Sequence, residues 1–588
     1  MLAWLLACAG DKPAEDAWAG LYDADPLNPF PSAELVADGH LAIPEGSLAV
    51  PEGGTALDVG RLNWRRGFSP VQPSVWVPEA LLDADSVGGQ GVLGTDGPVR
   101  VWDLDAGVQL PCFAELDAHP DAIAAGVRAL LVRPMVAAPD GHTLAVVVGS
   151  AVTTAEGAAL SPGAWQAAVD ADAHYAGLAE RLAALGEDDV ILAWDFPVAD
   201  GTSLLDSMLP DVAVPVDWSV DEVVTEGLPD GVARVGHGTL DTTSWLVDDV
   251  GFLTADGLPA VQGTAPADLY VWMPSSVADL PGPRPVLVFG HGILEDPAHY
   301  LEDDADGSAV IDVANRLGAI VVATTWRGLT KDDLIDAVNV ANNFGDFPDL
   351  TDRMAQGVAN TRALVRAVRE GGLLDDPFFE GRGDPTHLLY YGISLGGIEG
   401  AVVLADLDVF DAAVLHVGGS DWSTMLERSS NWPAFEAALV RTVPDPVDRQ
   451  RLYAVSQLLW DPVDPATHAA DLTGRAILWQ EAIGDNQVPN LSTELLIRSV
   501  GVPLGTPAFT APWGLETVSL PVDGAVLVQA DPELGLPDPH NRPAADTGAH
   551  NLPRTWEGIR AQTVGFLSEG RAENHCGPTG CDAENTGD

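Results

Sequence analysis

Tyr390-Tyr391-Gly392-Ile393-Ser394-Leu395-Gly396-Gly397 carries the G-x-S-x-G spacing and sits where an apolar strand should pass into a helix. Leu388 to Tyr391 is apolar throughout, and Ile398 to Leu404 has the composition of a buried helix. A strand-to-helix turn this tight leaves no room for a Cβ on either side of the serine, and the strain lifts its Oγ out over the sheet. The bland alternative is a glycine-rich turn that only packs a helix close to a strand. The strand–turn–helix context favours Ser394 as a nucleophile.

Working outward, Val286-Leu287-Val288-Phe289, Ala319 to Ala323, Ala413 to Val417, Ala476 to Trp479 and Ala525 to Val528 are short apolar runs. Helical patterns separate them, the longest from about Asp352 to Glu370. Continuous apolar strands between amphipathic helices predict a mostly parallel sheet covered on both faces. Val232 to Leu240 and Leu269 to Met273 lead into it. The first half is β-rich. Arg128 to Met135 and His142 to Val148 flank Pro139-Asp140-Gly141, which predicts a hairpin. One helix is expected over Trp165 to Leu185, then a strand from Val190 to Trp194. No internal repeat is evident. The expected organisation is a lead-in over 1–19, a β-rich domain over 20–205, a Pro/Asp-rich connection over 206–230, an α/β domain over 231–570 and a tail over 571–588.

A serine hydroxyl needs a base, and the base needs an orienter. Gly484-Asp485-Asn486 follows a late apolar strand, which makes Asp485 the candidate acid; its rival is Asp421 in Gly418-Gly419-Ser420-Asp421. Among the histidines near or after the serine, His550 lies in a loop after the last strand and ahead of a final helix, with His540 as the fallback. His387 and His416 fall inside or beside strands, where a satisfied buried histidine is the commoner outcome. Upstream, Phe289-Gly290-His291-Gly292-Ile293-Leu294 ends a strand. The backbone N–H groups of Ile293 and Leu395 are placed to meet a developing oxyanion, with His291 as a structural hydrogen-bonder. Trp422, Trp432, Leu458, Leu459 and Trp460 fall in a stretch of about fifty residues, 421–471, that reads as a cap over the nucleophile. Glu302-Asp303-Asp304-Ala305-Asp306-Gly307 imitates a calcium loop, but the closing position holds Val313, so no metal and no cofactor is called for.

With His-Gly loop, elbow, acid and histidine in this order, residues 230 to 570 resemble the α/β-hydrolase superfamily. The β-rich first half, with Asn28-Pro29-Phe30-Pro31-Ser32 near its start, resembles the N-terminal domain of bacterial surface lipases and lysophospholipases. The resemblance implies the α/β-hydrolase fold behind a β-rich domain, and an esterase acting on lipid-like substrates through Ser394, Asp485 and His550. A serine peptidase on the same scaffold and a non-catalytic surface binding protein are the rival implications.

In 588 residues, 87 acidic against 28 basic side chains give a net charge of −59, and Lys12 and Lys331 are the only lysines. Such a surface repels phosphate backbones, which excludes nucleic-acid binding. Leu5-Leu6-Ala7-Cys8 resembles a lipobox, so Cys8 is the expected lipidation site of an exported protein held to the membrane by that anchor alone. Cys576 and Cys581, five residues apart in a Gly/Pro-rich tail, suit a disulfide in an exported chain; half a metal site is the rival. Cys112 remains as a small buried apolar residue.

Overall fold

A computed structural model of the chain describes residues 25–199, 201–252, 254–255, 258–302 and 307–587. The stretch ending at Cys8 and the run Asp303 to Asp306 lie outside them. The chain forms two compact units. The smaller takes the described residues up to Ala49, Leu62–Asp200 and Asp445–Val455; the larger takes Val50–Arg61, Gly201–Pro444 and Ser456 onward. Where the sequence suggests single cuts near 205 and 230, two segments therefore change sides.

The smaller unit holds a three-stranded and a four-stranded antiparallel sheet. The expected hairpin across Pro139-Asp140-Gly141 does not form. Leu130–Pro134 is the central strand of the first sheet, between Ser74–Trp76 and Cys112–Leu116. Thr143–Val148 lies in the second, between Val99–Asp103 and Leu192–Pro197. The turn residues specify a reversal of direction; the partners were decided by burial, because both strands are covered on both faces. The single helix expected over Trp165 to Leu185 is two, Gly163–Ala171 and Ala173–Ala184. Asp172 turns extended between them and caps the second by accepting from the His174 N–H. In Asn28-Pro29-Phe30-Pro31-Ser32, the Asn28 amide exchanges two hydrogen bonds with the Val77 backbone. Phe30 bridges to Val75 and stacks edge-on against Phe68.

The larger unit is built on one twelve-stranded sheet. Its strands are β1 (Trp218–Val224), β2 (Val232–Ser244), β3 (Gly263–Pro274), β4 (Arg284–Gly290), β5 (Ile320–Ala323), β6 (Gly383–Ile393), β7 (Ala412–His416), β8 (Ile477–Ala482), β9 (Leu504–Thr506), β10 (Thr517–Ser519), β11 (Val526–Asp531) and β12 (Cys581–Asp582). Across the sheet they run β1-β2-β3-β5-β4-β6-β7-β8-β11-β9-β10, with β12 against β11. The pairings from β1 to β5 are antiparallel and all the others parallel. The tail is thus part of the sheet rather than an appendage.

Neighbouring strand residues point to opposite faces, so the complete burial of Val286, Leu287 and Val288 requires cover on both. On one face, helices α1 (Gly307–Leu317) and α6 (Glu557–Glu569) place Val310, Val313, Leu317 and Phe566 in one cluster with Leu287, Val321, Leu389 and Val414. On the other lie α3 (Phe347–Arg366) and α4 (Leu395–Asp406), with α4 packed on β4, β6 and β7. Two further helices, α2 (Leu334–Asn342) and α5 (Pro433–Thr442), pack on each other. The expected strands and the long helix are all present, generally with longer bounds.

Candidate active site

β6 ends at Ile393, α4 begins at Leu395, and Ser394 alone makes the turn, at φ 56° and ψ −117°. A side chain held at positive φ is strained, and such strain concentrates at functional positions. The flanking glycines are obligatory by contact. A Cβ on Gly392 would stand 2.0 Å from the Gly396 carbonyl oxygen, and one on Gly396 would stand 2.1 Å from that of Gly290. The helix can therefore start directly against the sheet only because both positions are bare. Ser394 donates its N–H to the His416 carbonyl at 2.9 Å, and its own carbonyl accepts from Gly397 and Ile398. The serine side chain lines a cavity.

The loop after β4 runs alongside. Gly292 lies against Ser394, since a Cβ there would come within 3.7 Å of the serine Cβ. His291 is wholly buried; its Nε2 accepts from the Trp326 N–H at 2.9 Å, so Nδ1 carries the proton and donates to the Gly292 carbonyl. Burial pushes this imidazole down to about 4, which keeps it neutral and fixes the loop. Leu294, at φ 56°, donates to the Leu329 carbonyl. Ile293 and Leu395 both line the cavity beside Ser394. As the first residue of α4, Leu395 has no intrahelical acceptor for its N–H.

Asp485 stands in the turn after β8, and His550 in the loop that follows β11. The two meet: His550 Nδ1 donates to Asp485 Oδ2 at 2.6 Å, with both side chains about 97% buried or more. The other carboxylate oxygen accepts from the N–H groups of Gln487 and Val488 at 2.9 and 3.0 Å. Those two bonds orient the carboxylate so that it holds the imidazole in one tautomer. Asp421 sits elsewhere in role. At φ 56° it caps the short helix Trp422–Leu426, accepting from the Thr424 N–H and the Ser423 hydroxyl. His540 is exposed and paired with Asp538, and His387 Nε2 is 3.7 Å from Asp411.

His416 is the buried strand histidine the sequence suggests, but its place behind the serine escaped that reading, as did the far wall of the cavity. His416, at the end of β7, donates from Nδ1 to Gln480 at 3.0 Å and carries the carbonyl that holds Ser394. Burial, aided by Arg554 and His550, lowers it to about 3. The cavity is an empty volume of about 810 Å³ that includes the open solvent at its mouth. Trp422, Trp432 and Trp460 of the expected cap line it, but Leu458 and Leu459 do not. Ala337, Val340 and Ala341 of α2, with Phe344, Phe347 and Leu350, line it as well. Their helical spacing is legible in the sequence, yet it is indistinguishable there from ordinary core packing.

Cys576 and Cys581 are joined by a disulfide, and Cys112 is buried with its thiol pushed up to about 12. Among the described residues, no three His, Cys, Asp or Glu side chains are grouped to hold a metal, and no helix is long and apolar enough to cross a membrane.

No family model and no curated protein matches the chain. Solved structures similar to it include acetyl xylan esterase 1 from a Thermoanaerobacterium species, at 15% identity and a TM-score of 0.34 over 56% of this chain and 85% of that one. Another is carboxyl esterase 2 from Tuber melanosporum, at 15% identity and a TM-score of 0.29 over 56% and 87%. A third is the Pyrococcus horikoshii acylaminoacyl peptidase, at 13% identity and a TM-score of 0.27 over 51% and 43%. Likenesses this distant add no weight of their own. On its strand order, its helix-covered faces and its strand–serine–helix corner, the larger unit has the α/β-hydrolase fold.

Proposed function

We propose that the protein is a serine hydrolase that cleaves carboxylic esters with lipid-like apolar portions. The observations that carry this reading are the strained corner at Ser394, opening into an apolar cavity, and the buried hydrogen-bonded pair Asp485–His550. His550 takes the proton from Ser394 Oγ as the oxygen attacks the ester carbonyl. Asp485 stabilises the imidazolium, and the N–H groups of Ile293 and Leu395 receive the oxyanion. Collapse expels the alcohol, which takes its proton from His550. Water then enters, gives a proton to the same imidazole and releases the acid from Ser394. The residues require no cofactor for these steps.

Export is proposed with it, on the Cys576–Cys581 disulfide, which suits an oxidising compartment, and on the lipobox-like sequence at Cys8. The test is fluorophosphonate labelling of the purified protein, mapped by peptide mass, alongside hydrolysis of p-nitrophenyl esters. Labelling at Ser394 with ester turnover is expected. A folded protein that neither labels nor turns over would sink the reading.

A further inference from the structure

The cavity lining is of two chemical kinds. One comprises Ser394 with the polar residues Ser429, Asn431 and Gln487, beside Leu395 and Ile293. Those three polar residues are already occupied with one another: Ser429 donates to the Gln487 backbone carbonyl at 2.7 Å, and Asn431 reaches the Gln487 side-chain oxygen at 3.4 Å. The other is apolar, and to it the helix pair α2 and α5 contributes Ala337, Val340, Ala341, Phe435 and Leu439. Among the described residues, no side chain lining the cavity is charged. The aromatic part of the lining is mutually braced. Trp422 and Trp460 stack at 4.8 Å between centroids, Phe347 meets Trp460 edge-on at 5.1 Å, and Phe344 stacks on Phe347 at 4.6 Å. Braced rings hold an open space that isolated aliphatic side chains would tend to fill.

We infer that this cavity measures an uncharged hydrocarbon chain of the ester, with the α2–α5 helix pair as its end stop. The inference rests on the serine hydrolase reading and sharpens its substrate class. A chain lying from Ser394 toward α2 and α5 exchanges water for apolar contacts at every methylene. Each should raise kcat/KM roughly fourfold until the stop is reached. A charge on the buried chain finds no partner there and must be desolvated without compensation. At the stop, Ala337 and Ala341 stand one helical turn apart, and their small side chains leave the space.

The experiment measures kcat/KM for three ester series: p-nitrophenyl esters of straight-chain acids, acetates of straight-chain alcohols, and p-nitrophenyl esters ending in a carboxylate. A steep rise with length followed by a plateau is expected in one of the uncharged series, and which one shows it tells whether acyl or alkoxy chain enters. The carboxylate-ended esters should react at least about a hundredfold more slowly than uncharged ones of equal length. Ala341→Phe should bring the plateau to shorter chains and lower the long-to-short ratio about tenfold or more. Leu439→Ala should move the plateau to longer chains, and Asn339→Phe, on the exposed side of α2, should leave the ratio unchanged. The opposite shifts from Ala341→Phe and Leu439→Ala keep the test decisive if one variant fails to fold. Labelling of Ser394 with a flat length profile, or equal rates for charged chains, would overturn the inference and leave the hydrolase reading standing. Absence of labelling would overturn that reading first.

Discussion

Two acidic corners of the same sheet invite comparison. Asp421 follows β7 and Asp485 follows β8. Each comes after an apolar strand and a glycine, and their residues are only 1% and 2% exposed. Asp421 is turned inward at positive φ, and its carboxylate serves the start of a helix and a neighbouring hydroxyl. Asp485 spends one oxygen on two backbone N–H groups and leaves the other to His550. A carboxylate can orient an imidazole only if something else orients the carboxylate while one oxygen stays available. What separates the two is that His550 meets the free oxygen of Asp485, and burial and local composition do not tell them apart.

The largest effect should come from the residue both corners would serve. Ser394→Ala is expected to lower kcat by about 10⁵-fold or more while circular dichroism and Tm stay near wild type. Comparable activity in the variant would remove the elbow from the mechanism. Asp485→Asn should cost about 10⁴-fold in kcat, because the amide presents the wrong hydrogen-bonding pattern to His550. A loss of only a few-fold would mean that another carboxylate can take its place.

Glu481, on β8 four residues before Asp485, sharpens the contrast from below. Burial, with Glu494 and Asp485 nearby, pushes its carboxyl up to about 8, while Gln529 and Asn490 donate to it. The folded form therefore holds a proton that the unfolded chain releases near its ordinary value of 4.5. Stability is fullest below that value, declines as pH rises toward about 8, and is flat above, because the unfolded state binds fewer protons in that window. Glu481→Gln should flatten this slope, as read from urea unfolding at pH 5 and pH 9. An unchanged slope would place the titration elsewhere.

The smallest effect is reserved for the other corner. Asp421→Ala should lose a helix cap, about 1 kcal/mol of stability, with less than about a tenfold change in kcat. A rate loss rivalling that of Asp485→Asn would erase the distinction between the corners.

Much of the larger unit was legible because its signals are local. A strand buried on both faces is apolar at every position, and a corner without room for a Cβ is written in glycine, as at Gly392 and Gly396. The failures lie where the partner is remote. Pro139-Asp140-Gly141 announces a turn, but nothing near it says that its two flanking strands join different sheets. Asp172 could be known to break a helix only once both pieces were seen packed in one cluster with Trp102 and Ala145.

By itself the sequence determined the order of elements, the α/β class of the larger unit, the elbow, and a short set of candidate acids and bases, since each depends on neighbours within a few residues. Only the tertiary structure decided which carboxylate meets His550, that α2 and the cap residues line one cavity, and that the tail completes the sheet as β12. Those outcomes depend on which atoms arrive within a few ångströms of one another from distant parts of the chain. Hydrogen bonding and desolvation act over that distance, and sequence separation does not encode it.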